Sequence, residues 1–174
     1  MHVALIRGIN VGKAKRVAMA DLRALVEKLG YSEVRTLLNS GNIVFDAGRD
    51  AASKVAAGIE QGMAAKLKVP ARVTVLTGAE FKTVVEENPL GAVADNPSRL
   101  LVAFLSDPRD RVRLQPLARQ AWKPEALGIG SRAAYVWCPA GMLESPLTEA
   151  VGRVLGDATT TRNWATVTKI RALL

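Results

Sequence analysis

The chain has 174 residues, 49% of them hydrophobic and 23% charged, and its 24 Lys and Arg against 16 Asp and Glu give a formal net charge of +8. This balance excludes a disordered chain and supplies enough apolar material for one domain or two small ones. A basic surface favours acidic partners such as nucleic acid, nucleotides or phosphorylated metabolites, although the cations are spread along the chain and form no long block.

Cys138 is the only cysteine, so no intrachain disulfide can form and a cytoplasmic location is expected. The start from Met1 to Arg7 lacks the apolar region and cleavage site of a secretory signal. No later apolar run approaches the ~18 residues of a membrane span, so no membrane association is expected.

His2 to Ile6 is a short apolar run, predicted as a strand. A basic, glycine-containing loop from Gly8 to Val17 separates it from Met19, Leu22, Leu25, Val26 and Leu29 at helical spacing, with Gly30 as the stop. Val34 to Leu38 and Ile43 to Phe45 then flank Asn39-Ser40-Gly41-Asn42, the composition of a hairpin turn. Val55, Ile59, Met63 and Leu67 recur every four residues on a second helix, and Ala71 to Leu76 alternates toward a fourth strand. The first half therefore reads β-α-β-β-α-β, the ferredoxin-like unit.

A short helix around Phe81, Val84 and Val85, ended by Asn88-Pro89, leads to a second series. Arg99 to Leu105 is a strongly apolar strand, and Asp107-Pro108 starts a helix that Pro116 should break or kink early. Ala126 to Ile129 and Ala133 to Trp137 form a hairpin around Gly130-Ser131-Arg132. Ser145-Pro146 supplies a cap and a first-turn proline for a helix with Leu147, Val151, Val154 and Leu155 on its apolar face. After it the sequence predicts a Thr-rich segment and a final helix with Trp164, Val167, Ile170 and Leu174. The expected class is α+β, with two ferredoxin-like (βαββαβ) subdomains, 1–77 and 99–174, joined by a helix and loop over 78–98. The second is read as truncated, its last strand replaced by the C-terminal helix. No sequence repeat accompanies the repeated element order.

In such a unit the first two strands are parallel and joined by a right-handed crossover, so the loop after the first and the turn after the second share one edge. Arg7 to Lys13 is thus expected beside Ser40 to Asn42, and Ser106-Asp107 beside Gly130 to Arg132, with Thr159 to Asn163 emerging near that second edge. The candidate ligand-binding residues are Arg7, Asn10, Lys13, Ser40, Asn42, Thr160, Arg162 and Asn163. Arginines can grip oxyanions bidentately, glycines admit backbone amides to a ligand, and a helix beginning near Thr161 adds the positive end of its dipole.

The segment Gly8 to Ala14 is no Walker A loop: it has one residue too few between its glycines and lacks the Ser or Thr after Lys13 that would hold magnesium. His2 is the sole histidine, so neither a histidine metal cluster nor a Ser-His-Asp triad can form within one chain. No metal or cofactor is expected, and Cys138 reads as a core residue. Tyr135 and Trp137, with Phe104, share a face that could stack bases or pack inside the protein.

Arg-Gly-Ile-Asn-Val-Gly from Arg7 to Gly12, Ser40-Gly41-Asn42 with Val44 and Phe45, Asn88-Pro89, and Thr160 to Val167 together resemble the bacterial family DUF1697 over almost the whole chain. The resemblance implies two ferredoxin-like α/β subdomains, no established activity and no catalytic residues. The chain departs from the family pattern at Ala14 and its neighbours, at Ala18 in place of a helix-starting proline, and at Ala165 in place of a frequent asparagine. The expected function is a cytoplasmic binding module for an anionic or phosphorylated ligand, nucleotide or nucleic acid included. Two alternatives stay open: a cofactor-independent enzyme acting on a phosphorylated substrate, and a structural or interaction protein whose polar motifs lock the chain together.

Overall fold

The apolar run near the N-terminus is strand β1 (His2–Ile6), buried along its whole length. The computed structural model describes residues 1–174, which divide into one unit of Met1–Phe81 with Leu173–Leu174 and another of Lys82–Ala172. The architecture is mixed α+β, with two four-stranded antiparallel sheets and six α-helices.

In the first unit β1 is followed by α1 (Met19–Lys28), β2 (Ser32–Leu37), β3 (Asn42–Asp46), α2 (Ala52–Gly62) and β4 (Val73–Thr77). A π-helical stretch, Met63–Leu67, prolongs α2. The strand order is β2-β3-β1-β4, and Ala4 of β1 stands opposite Ile43 on one side and Val75 on the other. Alternation sends Ala4, Ile6, Ile43, Phe45, Val73 and Val75 into a core with Leu22, Leu25 and Val26 of α1 and Val55 and Ile59 of α2. The intervening Val3, Leu5, Val44 and Leu76 are buried as well, so β1 reads as a continuous apolar run and shows no alternation.

Helix α3 (Gly78–Glu86) crosses the division at Phe81. The second unit then places β5 (Leu100–Leu105), a 3-10 helix (Pro108–Leu114), the short α4 (Gln115–Ala118), β6 (Ala126–Ile129), β7 (Ala133–Trp137), α5 (Pro146–Leu155), β8 (Thr159–Asn163) and α6 (Trp164–Arg171). Its sheet order is β6-β7-β5-β8, the same path as in the first unit. Leu101, Ala103, Leu105, Ala134 and Val136 pack with Leu114, Leu117, Leu147, Val151 and Leu155. Asp107 caps the 3-10 helix by accepting from the Arg109 amide, and Pro116 lies in the first turn of α4, where its missing N–H costs nothing. The Ser145 hydroxyl caps α5 by accepting from the Thr148 amide at 2.9 Å.

The expected truncation of the second half is corrected by β8. Thr159 to Asn163 pairs with β5 from Leu105↔Thr159 to Leu101↔Asn163, so the fourth strand is present and α6 follows it. The physical reason is that backbone pairing, and no apolar pattern, makes this strand. Its consecutive threonines favour extended backbone, and the Thr159 hydroxyl donates to the Phe104 carbonyl across the ladder at 2.9 Å. No helix is long and apolar enough to cross a membrane.

Candidate functional site

The loop after β1 is shaped by Asn10, whose backbone takes a left-handed φ of 56°. Its side-chain amide donates to the Val17 carbonyl at 2.9 Å and the Asn39 carbonyl at 2.7 Å, while its oxygen accepts from the Val17 amide at 2.9 Å. Asn10 therefore closes the loop at its base and ties it to the β2–β3 turn. Positive φ at Gly8, Asn10 and Gly12 alternates with ordinary backbone at Ile9 and Val11, while Ile9 itself is buried as an anchor. The Ile6 amide donates to the Gly41 carbonyl at 2.8 Å and the Arg7 amide to the Arg72 carbonyl at 2.9 Å, which fixes where the loop leaves the sheet.

Loop and turn thus share an edge of the first sheet. Asn42 is fully buried in that turn, donating to the Leu37 carbonyl at 2.9 Å and the Ser40 hydroxyl at 3.0 Å. Gly41 is required by both conformation and space: its φ is +75°, and a Cβ there would stand 2.7 Å from Ile6 Cβ and 2.8 Å from Ile9 Cδ1.

The electrostatics of the loop are one-sided. Residues 7–18 contain Arg7, Lys13, Lys15 and Arg16, and no acidic residue precedes Asp21. Lys13, Lys15 and Arg16 are exposed, and the ion pairs of the chain lie at other residues. A cleft of about 420 Å³ beside them is lined by Asn10, Arg16, Val17, Ala18, Met19 and Asn39. It opens at the start of α1, where Ala18 occupies the cap position without a side-chain hydrogen bond. Arg16 and Asn39 were absent from the residues singled out by sequence; the signal for Arg16 was the continuation of the basic run past Lys13.

The second sheet repeats these edge contacts with different chemistry. The Leu105 amide donates to the Arg132 carbonyl and the Ser106 amide to the Ala158 carbonyl, both at 2.9 Å. There is no long basic loop here. Asp107 receives the Arg109 guanidinium through Nε at 3.0 and 2.9 Å on its two oxygens. Arg109 holds the Asp107 carboxyl down at about 2, so the pair is charged throughout the neutral range.

Thr160, Arg162 and Asn163 lie on β8 and at the start of α6, and the Asn163 side chain caps α6 by accepting from the Thr166 amide at 2.9 Å. Thr160 and Arg162 are buried, and Arg162 Nη1 donates to the Thr161 carbonyl at 2.8 Å. Desolvation pushes the Arg162 guanidinium down to about 10, which leaves it protonated at neutral pH. Phe104, Tyr135 and Trp137 are all buried, so they present no platform to a base, and the Tyr135 hydroxyl donates to the Val84 carbonyl. Cys138 is buried against the Thr148 hydroxyl.

A two-sheet α+β protein with an acid-free basic loop at one sheet edge is the class these observations define. The chain belongs to the family described as protein of unknown function DUF1697, whose model matches residues 1–135. It is similar in fold to the conserved bacterial protein SP0830 of Streptococcus pneumoniae, with a TM-score of 0.80 at 24% sequence identity over 99% of this chain and 97% of that one. No curated protein matches the chain.

Proposed function

We propose that the protein is a binding module for an anionic, phosphorylated ligand held by the loop of residues 7–18. The carrying observation is the contrast between two equivalent sheet edges. At the second, Asp107 answers Arg109 from within the chain. At the first, Lys13, Lys15 and Arg16 stand on a loop that Asn10 closes at its base, with no carboxylate of their own. An external anion would supply the missing charge, with the first amides of α1 adding donors and the positive end of the helix dipole.

In this reading Arg7, Lys13 and Arg16 contact the ligand, while Asn10, Ser40 and Asn42 hold the loop and turn in shape. The strand order shared by the two sheets supports reading each as a ferredoxin-like subdomain, over 1–77 and 99–174. For Thr160, Arg162 and Asn163 a structural role is favoured, because their polar groups are buried or engaged in capping α6.

The test is a thermal-shift series with inorganic phosphate, pyrophosphate and nucleotides at two salt concentrations. A ligand at about a hundred times its dissociation constant adds roughly 2.7 kcal/mol, or a shift of roughly 5–10 °C for a chain of this size. The shift is expected to disappear in a Lys13→Ala/Arg16→Ala variant; a shift that survives there, or none with any anion, contradicts the reading.

A further inference from the structure

We propose that the anion taken by this loop is the phosphate backbone of duplex nucleic acid, an inference that rests on the anion-site reading above. The first argument is shape. Val11 to Arg16 are all exposed, Val11 at 70%, and of the three cations only Arg16 lines the open cleft at the start of α1, while Lys13 and Lys15 lie outside it. Small phosphorylated molecules are held in concave sites that bury most of their surface. A projecting row of cations suits a long polyanion that meets it from outside and releases counterions on contact.

The second argument is the chemistry around the row. Single strands are gripped by aromatic side chains on which bases stack. Residues 7–18 contain no aromatic residue, and Phe104, Tyr135 and Trp137 are buried. An anionic membrane surface calls for a sizeable apolar face or aromatic anchors beside the cations. Here only Val11 and, in the neighbouring turn, Leu38 at 47% are exposed large apolar residues. Lys13, Lys15 and Arg16 at this spacing, with no aromatic residue among them, fit sequence-independent contact with phosphates. Asn10, the amide nearest the row in sequence, has both its donors engaged.

The experiment is a fluorescence-anisotropy titration of a labelled duplex of about 20 base pairs, repeated from about 50 to about 200 mM salt. Wild type is compared with Lys13→Ala/Lys15→Ala/Arg16→Ala and with a control of equal charge change, Lys28→Ala/Lys66→Ala/Lys169→Ala. All six positions are exposed, so both variants should fold as wild type does, as circular dichroism melts would verify. The loop variant is expected to bind at least tenfold more weakly and to lower the slope of log K against log salt by about 2.7, the value for three lost phosphate contacts. The control should keep a slope near wild type. Equal losses in the two variants would overturn the inference, as would tighter binding to the matching single strand or to vesicles containing phosphatidylserine. Absence of duplex binding while pyrophosphate still stabilises wild type, and not the loop variant, would overturn the duplex assignment and leave the anion site standing. If neither duplex nor pyrophosphate binds, both readings fall.

Discussion

At the scale of single residues, Gly41 and His2 make the clearest demands. Gly41→Ala would force a Cβ within 2.7 Å of Ile6 Cβ at a left-handed φ, whereas Gly12 at φ +60° has nothing within 4 Å of the same atom. Left-handed strain costs about 1–2 kcal/mol and overpacking a further 1–3 kcal/mol or so. Denaturant titration should therefore find Gly41→Ala destabilised by roughly 2–5 kcal/mol and Gly12→Ala by roughly 1–2 kcal/mol; equal losses would mean that turn and β1 do not pack as described. His2 is buried and stacks on Phe45, with its Nδ1 lacking a partner. Burial first, then the nearby N-terminal ammonium, lowers its pKa below the ordinary 6.5. The fold thus holds the neutral imidazole, and the unfolded chain takes up the proton first as pH falls. Stability from the neutral state is present above about pH 6.5 and is lost as pH drops through the folded value. Relative to His2→Phe, the melting temperature of wild type should fall between about pH 7 and about pH 5; parallel curves would show that His2 does not titrate differently in the two states. Asn10 illustrates what sequence can and cannot reveal. Its place near an anion loop is legible from the surrounding glycines, but that its amide would close the loop depends on Val17 and Asn39 meeting it in space.

At the scale of elements, most strands are legible because burial on one or both faces writes itself as alternation or as an apolar run. Ala126–Ile129 and Ala133–Trp137 are such strands, and so is Leu100–Leu105. Strand β8 is not, since its buried side chains are Thr159, Thr160 and Arg162 and its pattern reads as loop. The available signal was the β-branched run Thr159-Thr160-Thr161, which favours extended backbone whatever its polarity. The same stretch shows how a polar residue can serve an element boundary: Asn163 ends β8 and caps α6. Asn163→Ala should cost about 1 kcal/mol, and Asn163→Asp should restore most of it, because either amide or carboxylate oxygen can accept from the Thr166 amide. An alanine variant as stable as wild type would show that the cap contributes nothing to holding α6.

At the scale of the whole molecule, a net charge of +8 guarantees some attraction to any polyanion at low ionic strength, so charge alone assigns no site. What localises one is the distribution: Lys13, Lys15 and Arg16 fall within a stretch, residues 7–18, that holds no acidic residue, whereas Arg109 at the second edge is paired with Asp107. The two sheets share one strand order, and sequence anticipated the edge contacts at each. It did not reveal the difference between the edges, because the pairing of Asp107 with Arg109 and the closure of the acid-free loop by Asn10 emerge only in three dimensions. The most direct measurement is a pyrophosphate titration of isotope-labelled protein followed by backbone amide shifts. Saturable shifts confined to Gly8 through Ala20, and lost in Lys13→Ala/Arg16→Ala, are expected. Shifts around Asp107 and Arg109, or none in the loop after β1, would contradict the assignment of that loop as the anion site.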